Sequence, residues 1–136
     1  LENSIIAKIN DDFAIKWCEV NPTTRYQILA SVIIPYKKNG SLLEWTPLAL
    51  KILNNVSDPI EVLKEFKYRF TPNSWSGSLT EILRSRLSLI IDLKQHKNLV
   101  IANWAYKAEE LFREEIQAVH KWELQAEKNS NERFEY

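Results

Sequence analysis

The sequence predicts an all-α fold: antiparallel helical hairpins stacked side by side as a short α-α superhelix, with a closed helical bundle as the alternative. Three observations predict it. Apolar residues recur every three or four positions, the period of a helix face, rather than alternating as in a strand. Glycines number only two, Gly40 and Gly77. A capping side chain is followed directly by proline at Asn21-Pro22, Thr46-Pro47 and Asp58-Pro59. Proline fits the first helical position because the amide there has no partner within the helix.

Residues 11–20 read as a first short helix, with Phe13, Ile15, Trp17 and Val20 as its apolar positions. Residues 3–9 belong to it or to the remnant of a preceding repeat. A second helix starts from the Asn21 cap and carries Tyr26, Leu29, Ile33 and Ile34 along one face. Pro35 ends it, because its ring lacks an N–H and crowds the preceding turn. Lys37, Lys38, Asn39 and Gly40 read as a loop. Ser41 and Glu44 have the spacing of a capping box, but a helix begun there would meet Pro47 in its interior. A turn at 41–45 and a third helix from 47 to about 55 avoid that conflict, with Leu48, Leu50, Ile52 and Leu53 as core contacts.

Asp58 starts the fourth helix, and Glu61 is spaced to reach back to the cap amide. Ile60, Leu63, Phe66 and Phe70 face inward, and Glu65 stands one turn from Arg69 on the outer face. Residues 71–77 form a loop. Ser78 and Glu81 make a further capping box, and the helix that follows, over 79–95, is apolar around a wide arc. Such a helix is normally sandwiched between neighbours. Asn98 caps the sixth helix, where Ile101, Trp104, Ala105, Ala108, Leu111, Phe112, Ile116 and Val119 keep helical spacing. Beyond Val119 the pattern thins, so a frayed helix end from 125 and a mobile polar tail over 129–136 are expected.

Pairing the helices in order gives three hairpins that start near residues 11, 47 and 79, within the range of helical-repeat periods. Residues 1–128 then make one repeat domain. Its last hairpin buries Leu83, Leu87, Ile90, Trp104, Ala108, Leu111 and Phe112.

Lysine plus arginine number 18, as do aspartate plus glutamate. Zero net charge gives no whole-domain attraction to nucleic acid or to an anionic membrane. No segment approaches the ~20 apolar residues of a membrane-spanning helix, and residues 1–10 lack the pattern of a signal peptide. No membrane partner is therefore expected. Cys18, the single cysteine, lies among apolar residues and reads as a buried thiol in a reducing, cytoplasmic setting. The chain has no methionine and begins with Leu1, which reads as a fragment of a larger protein.

The runs Thr46-Pro47-Leu48-Ala49-Leu50, Ser57-Asp58-Pro59-Ile60-Glu61-Val62-Leu63 and Ser74-Trp75-Ser76-Gly77-Ser78-Leu79 resemble degenerate HEAT-type repeats. The same stretch, roughly 45–125, is similar to C-terminal helical regions of large bacterial proteins that pair a repeat array with an effector or NTPase domain. The resemblance implies a HEAT-like superhelix with a recognition or scaffolding role, and any catalysis elsewhere in the parent protein.

Residues with chemical potential are few. Asp92 and His96 lie one helical turn apart, a spacing open to metal, but no second ligand pair completes a site. Glu109, Glu110, Glu114 and Glu115 cluster without the Glu-x-x-His spacing of a carboxylate-bridged metal bundle. Ser74-Trp75-Ser76-Gly77-Ser78 lacks the leading glycine and the strand of a nucleophile elbow. No catalytic residue, metal or cofactor is expected. Lys64, Lys67, Arg69, Arg84 and Arg86 read first as scattered solubilising charge, because acidic residues interleave with them; combined as a basic patch beside Trp75 they are the basis for an alternative reading as a nucleic-acid-binding repeat. Trp45 and Trp122 are further anchor candidates, since tryptophan is enriched at binding hot spots. The leading expectation is a protein-interaction module that binds a protein partner, itself or the rest of its own chain, with Trp75, Arg84 and Trp122 as contact residues.

Overall fold

The computed structural model describes residues 10–134, with side chains through residue 130; the expectation for residues 3–9 lies outside the described residues. The order is α1 (Asp11–Val20), α2 (Pro22–Val32), β1 (Tyr36–Asn39), β2 (Leu42–Trp45), α3 (Pro47–Asn55), α4 (Pro59–Tyr68), α5 (Leu79–Leu93) and α6 (Leu99–Phe134). The chain is mostly helical, as the periodicity predicts, with one small two-stranded sheet added.

Local capping chemistry explains most helix starts. Asn10 Oδ1 accepts from the Asp12 amide at 2.8 Å and opens α1. Thr46 Oγ1 accepts from the Ala49 amide at 3.2 Å and opens α3. The side chains of Asp58, Ser78 and Asn98 do the same for α4, α5 and α6, at 3.3, 3.3 and 2.9 Å. Each satisfies an amide that the helix itself leaves unpaired. Asn21 departs from expectation: its side chain accepts from the Thr23 hydroxyl at 3.0 Å, not from an amide. Pro22 alone fixes the start of α2. The glutamates of the two expected capping boxes also turn elsewhere. Glu61 pairs with Lys64 at 3.2 Å and Glu81 with Arg84 at 2.8 Å. Arg69 does not pair with Glu65; it donates to the Ile33 carbonyl and ties α4 to the end of α2.

The hairpin corrects the expected loop and turn over 37–45. Tyr36 pairs with Trp45 and Asn39 with Leu42, leaving Gly40 and Ser41 as a two-residue turn. Gly40 has φ 65°, which a two-residue turn with glycine first requires. Trp45, at the end of β2, is buried and donates its indole N–H to the Leu89 carbonyl at 2.9 Å. Its ring lies 5.7 Å from Phe66 and 6.1 Å from Phe70. Tyr36, at the start of β1, donates to the Arg69 carbonyl at 3.1 Å and accepts from Arg86 Nε at 3.0 Å. The hairpin thus ties α4 to α5.

The in-order pairing holds for the first and last hairpins and fails in the middle. α1 packs on α2, and α5 on α6, the most extensive helix interface among the described residues. α3 packs on α1, and α4 on α2 and α6, rather than on each other. One continuous core runs through the six described helices and β2. Leu83, Leu87, Ile90, Ala108 and Phe112 are buried in it as expected, and Trp104 is half-buried. Leu111 is a correction: it is 48% exposed, because the inward stripe of α6 runs through Ile101, Ala105, Ala108, Phe112 and Ile116.

In α1 the inward positions are Ala14 and Cys18, while Phe13 and Val20 face solvent. Cys18 is buried and free, and burial pushes its thiol pKa up to about 11, with the Glu19 charge adding to the rise. Ile34 is exposed, since α2 has already ended at Val32. α6 continues past residue 125 to Phe134. Residues 120–134 contain no Gly or Pro, and three Glu and two Lys among them favour continuation of the helix. Gln125 adds a one-turn hydrogen bond to Asn129 at 3.1 Å.

Candidate interaction surface

The first turn of α5 meets α6 through one side chain. Glu123 accepts from the Leu79 and Thr80 amides, both at 2.9 Å, from the Ser78 hydroxyl at 3.1 Å and from the Thr80 hydroxyl. A carboxylate from one helix therefore serves the unpaired amides and positive dipole end of another. The Thr80 hydroxyl and amide, then Leu79 and Ser78, hold its pKa down at about 2. This contact sets the register of the α5–α6 hairpin. It also marks where support for α6 stops: residues 124–130 are all exposed, and the helix runs on for about 16 Å at 1.5 Å per residue.

The three expected contact residues fall around this junction. Trp75 lies three residues before Ser78 in the loop and is 43% exposed. Trp122 directly precedes Glu123 and is 61% exposed. The Ser78–Glu123 bond therefore brings the segments carrying both tryptophans to one end of the molecule. Arg84 lies about 9 Å farther along α5 and is held by Glu81. Trp45, the other anchor candidate, is core.

Each cation weighed for a basic patch has a partner of its own. Lys64 pairs with Glu61 and Lys67 with Glu115, each at 3.2 Å. Arg69 caps the Ile33 carbonyl, Arg84 holds Glu81, and Arg86 lies against Tyr36 with its guanidinium 5.1 Å from the ring centre. The acidic cluster of α6 is likewise divided. Glu109 bridges Lys94 and Arg113, each at 2.7 Å, and both hydrogen bonds, led by that from Lys94, lower its pKa.

His96 closes the α5–α6 loop. Its Nδ1 accepts from the Asn98 amide at 3.0 Å, and its Nε2 faces Asn54 Oδ1 at 3.2 Å. That arrangement suits a neutral ring protonated at Nε2. Burial, then the neighbouring Lys97 charge, lowers its pKa. Burial also raises the Asp92 pKa. Among the described residues no three His, Cys, Asp or Glu side chains gather as metal ligands. No described helix is long and apolar enough to cross a membrane.

A second surface feature escaped sequence reasoning. A cleft runs between α4 and α6 as two adjoining lobes of about 520 and 510 Å³ that share Lys67 and Trp104. Val100, Trp104, Lys107 and Leu111 line its α6 wall. These positions repeat at four, three and four residues, one step around the helix from the core stripe. The signal was present as a second apolar stripe on α6, but it merged with the first because Trp104 and Leu111 also fit the core period. No protein-family model, curated protein or solved structure matches the chain.

Proposed function

We propose that this chain is a protein-interaction module that scaffolds a larger assembly through exposed helix faces and performs no chemistry itself. The observation that carries this reading is α6, which outruns its support at Glu123 and leaves Trp122 and Leu124 61% and 52% exposed. Holding large apolar side chains in water is unfavourable, and covering them with a partner removes that cost. Trp75 at the same end widens the apolar area. Phe13 and Val20 offer a second exposed pair on α1.

A HEAT-like stacking of hairpins belongs to the same reading. Its support is that α1 lies on α3, α2 on α4, and α4 on α6, the alternate-helix contacts of a layered repeat. The β-hairpin is then an insertion filling the space before α5. A free buried cysteine fits a cytoplasmic setting. The partner is another protein, the rest of a larger chain, or a second copy.

Analytical ultracentrifugation of the chain, alone and with the remainder of any longer parent protein, tests the reading. Association is expected, weakened about tenfold or more by Trp122→Ala, with the circular dichroism spectrum unchanged. Failure to associate in either format, together with a bound metal or turnover in the purified chain, overturns it.

A further inference from the structure

We infer that the α4–α6 cleft is a docking groove for an acidic amphipathic helix of a partner protein. The inference rests on the interaction-module reading but uses the start of α6, about 16 Å from Trp122 along the helix. The floor is apolar: Ile60 and Trp104 are half-buried, Ala108 is buried, and Val100 and Leu111 are 49% and 48% exposed. Lys64, Lys67 and Lys107 carry the charge of the lining. No Asp or Glu lines either lobe, although the chain has as many acidic as basic residues.

Charge complementarity therefore selects an acidic occupant, and the apolar floor requires one that also presents hydrophobic side chains. Two of the cations already hold surface carboxylates, Lys64 with Glu61 and Lys67 with Glu115. The Lys64–Glu61 pair is exposed, and the Lys67–Glu115 pair joins a half-buried lysine to an exposed glutamate; such pairs are weak and exchange for carboxylates of a ligand that also covers apolar surface. Lys107 is exposed on the opposite wall.

Geometry selects a helix over an extended peptide. The α6 wall from Val100 to Leu111 spans about 17 Å, which is three helical turns. Helices α4 and α6 form most of the lining, with loop residues Thr71, Pro72 and Asn73 at one end, so an extended peptide would find no strand edge along the cleft for its own amides and carbonyls. A helix brings its backbone satisfied and lays apolar residues at i, i+3 or i+4, and i+7 into the groove.

A phage-displayed library of helical 14-residue peptides, selected on the whole chain, tests the assignment. Enriched sequences are expected to carry that apolar spacing flanked by Asp or Glu. A synthetic copy should shift amide resonances over 60–72 and 100–111, and the affinity should fall with salt. Lys107→Glu and Leu111→Ser alter exposed side chains, so the fold should stand. Each should weaken binding about tenfold or more. Trp122→Ala should leave this binding intact while weakening association at the far end of α6, which separates failure here from failure of the module reading. No enrichment, enrichment without acidic bias, or shifts centred outside the cleft overturns the proposal. So does a DNA duplex or an anionic phosphatidylserine vesicle that shifts the cleft residues more strongly than the peptide.

Discussion

Trp45 is buried at the end of β2, with its indole N–H on the Leu89 carbonyl and its ring among Phe66 and Phe70, whereas Trp122 stands 61% exposed on α6 just where that helix leaves the body. Sequence alone treats the two alike, as large aromatic residues beside apolar neighbours. Their fates differ because of what surrounds them. Around Trp45 a turn at Gly40 folds the chain back, so that the ring reaches α4 and α5 together. Around Trp122 no second element among the described residues continues alongside α6, because α5 begins at Leu79, level with Glu123. A tryptophan is core when two elements converge on it and surface when only one is present.

The largest expected effect tests the buried side of that comparison. Trp45→Ala should cost about 3–5 kcal/mol in urea unfolding, from lost transfer energy, a cavity and the broken hydrogen bond. A loss under about 1 kcal/mol would mean the hairpin is decoration on an otherwise self-sufficient helical body.

The next test sharpens the boundary between core and surface within the last hairpin. Leu87→Ala should cost about 2–5 kcal/mol, while Leu111→Ala should stay within about 0.5 kcal/mol. Similar costs at the two positions would show that the inward stripe of α6 is drawn wrongly.

Glu123 marks the limit of supported helix, and its charge gives a pH signature. Its folded pKa of about 2 lies below its ordinary 4.5, so its contribution is fully present above about pH 4.5 and is lost as pH falls toward 2. Glu123→Gln should lower Tm at pH 7 and flatten the acid side of the Tm–pH profile. Glu127→Gln, at an exposed position past the junction, should do neither. Equal behaviour of the two variants would remove the inter-helix cap from the account.

The smallest effect is expected at His96. Its folded pKa lies below the ordinary 6.5, so its contribution is present above about pH 6.5 and is lost as pH falls toward the folded value. Protonation puts a hydrogen on Nδ1, which now accepts from the Asn98 amide. His96→Gln should reduce the slope of Tm against pH as pH falls below about 6.5. An unchanged slope would show that this ring does not titrate differently on folding.

Much of the fold was legible because it is written locally. Thr46-Pro47, Asp58-Pro59, Ser78 and Asn98 announce helix starts within four residues of chain, and the structure uses each side chain as a cap. The hairpin was less legible. Asn39-Gly40 is a turn signal, but Lys37-Lys38 and Leu42-Leu43 do not alternate, so each short strand lacks the pattern that marks a half-buried sheet. Of the candidate surface, Trp75 and Trp122 are exposed, and the basic residues do not converge on one shared site. Lysines and arginines near each other in sequence found carboxylates and carbonyls on separate elements instead.

By itself the sequence determined where helices begin, that they dominate, and that Cys18, Leu83, Ile90 and Phe112 belong inside. Caps, proline and apolar period act over one or two turns, so no distant contact is needed to read them. Tertiary structure alone decided that α4 packs on α2 and α6 rather than on α3, that Glu123 caps a helix 43 residues away from it at Thr80, and that Val100, Lys107 and Leu111 face a cleft. Those outcomes depend on which elements converge, and an apolar stripe on a helix carries the same pattern whether a neighbour covers it or leaves it open.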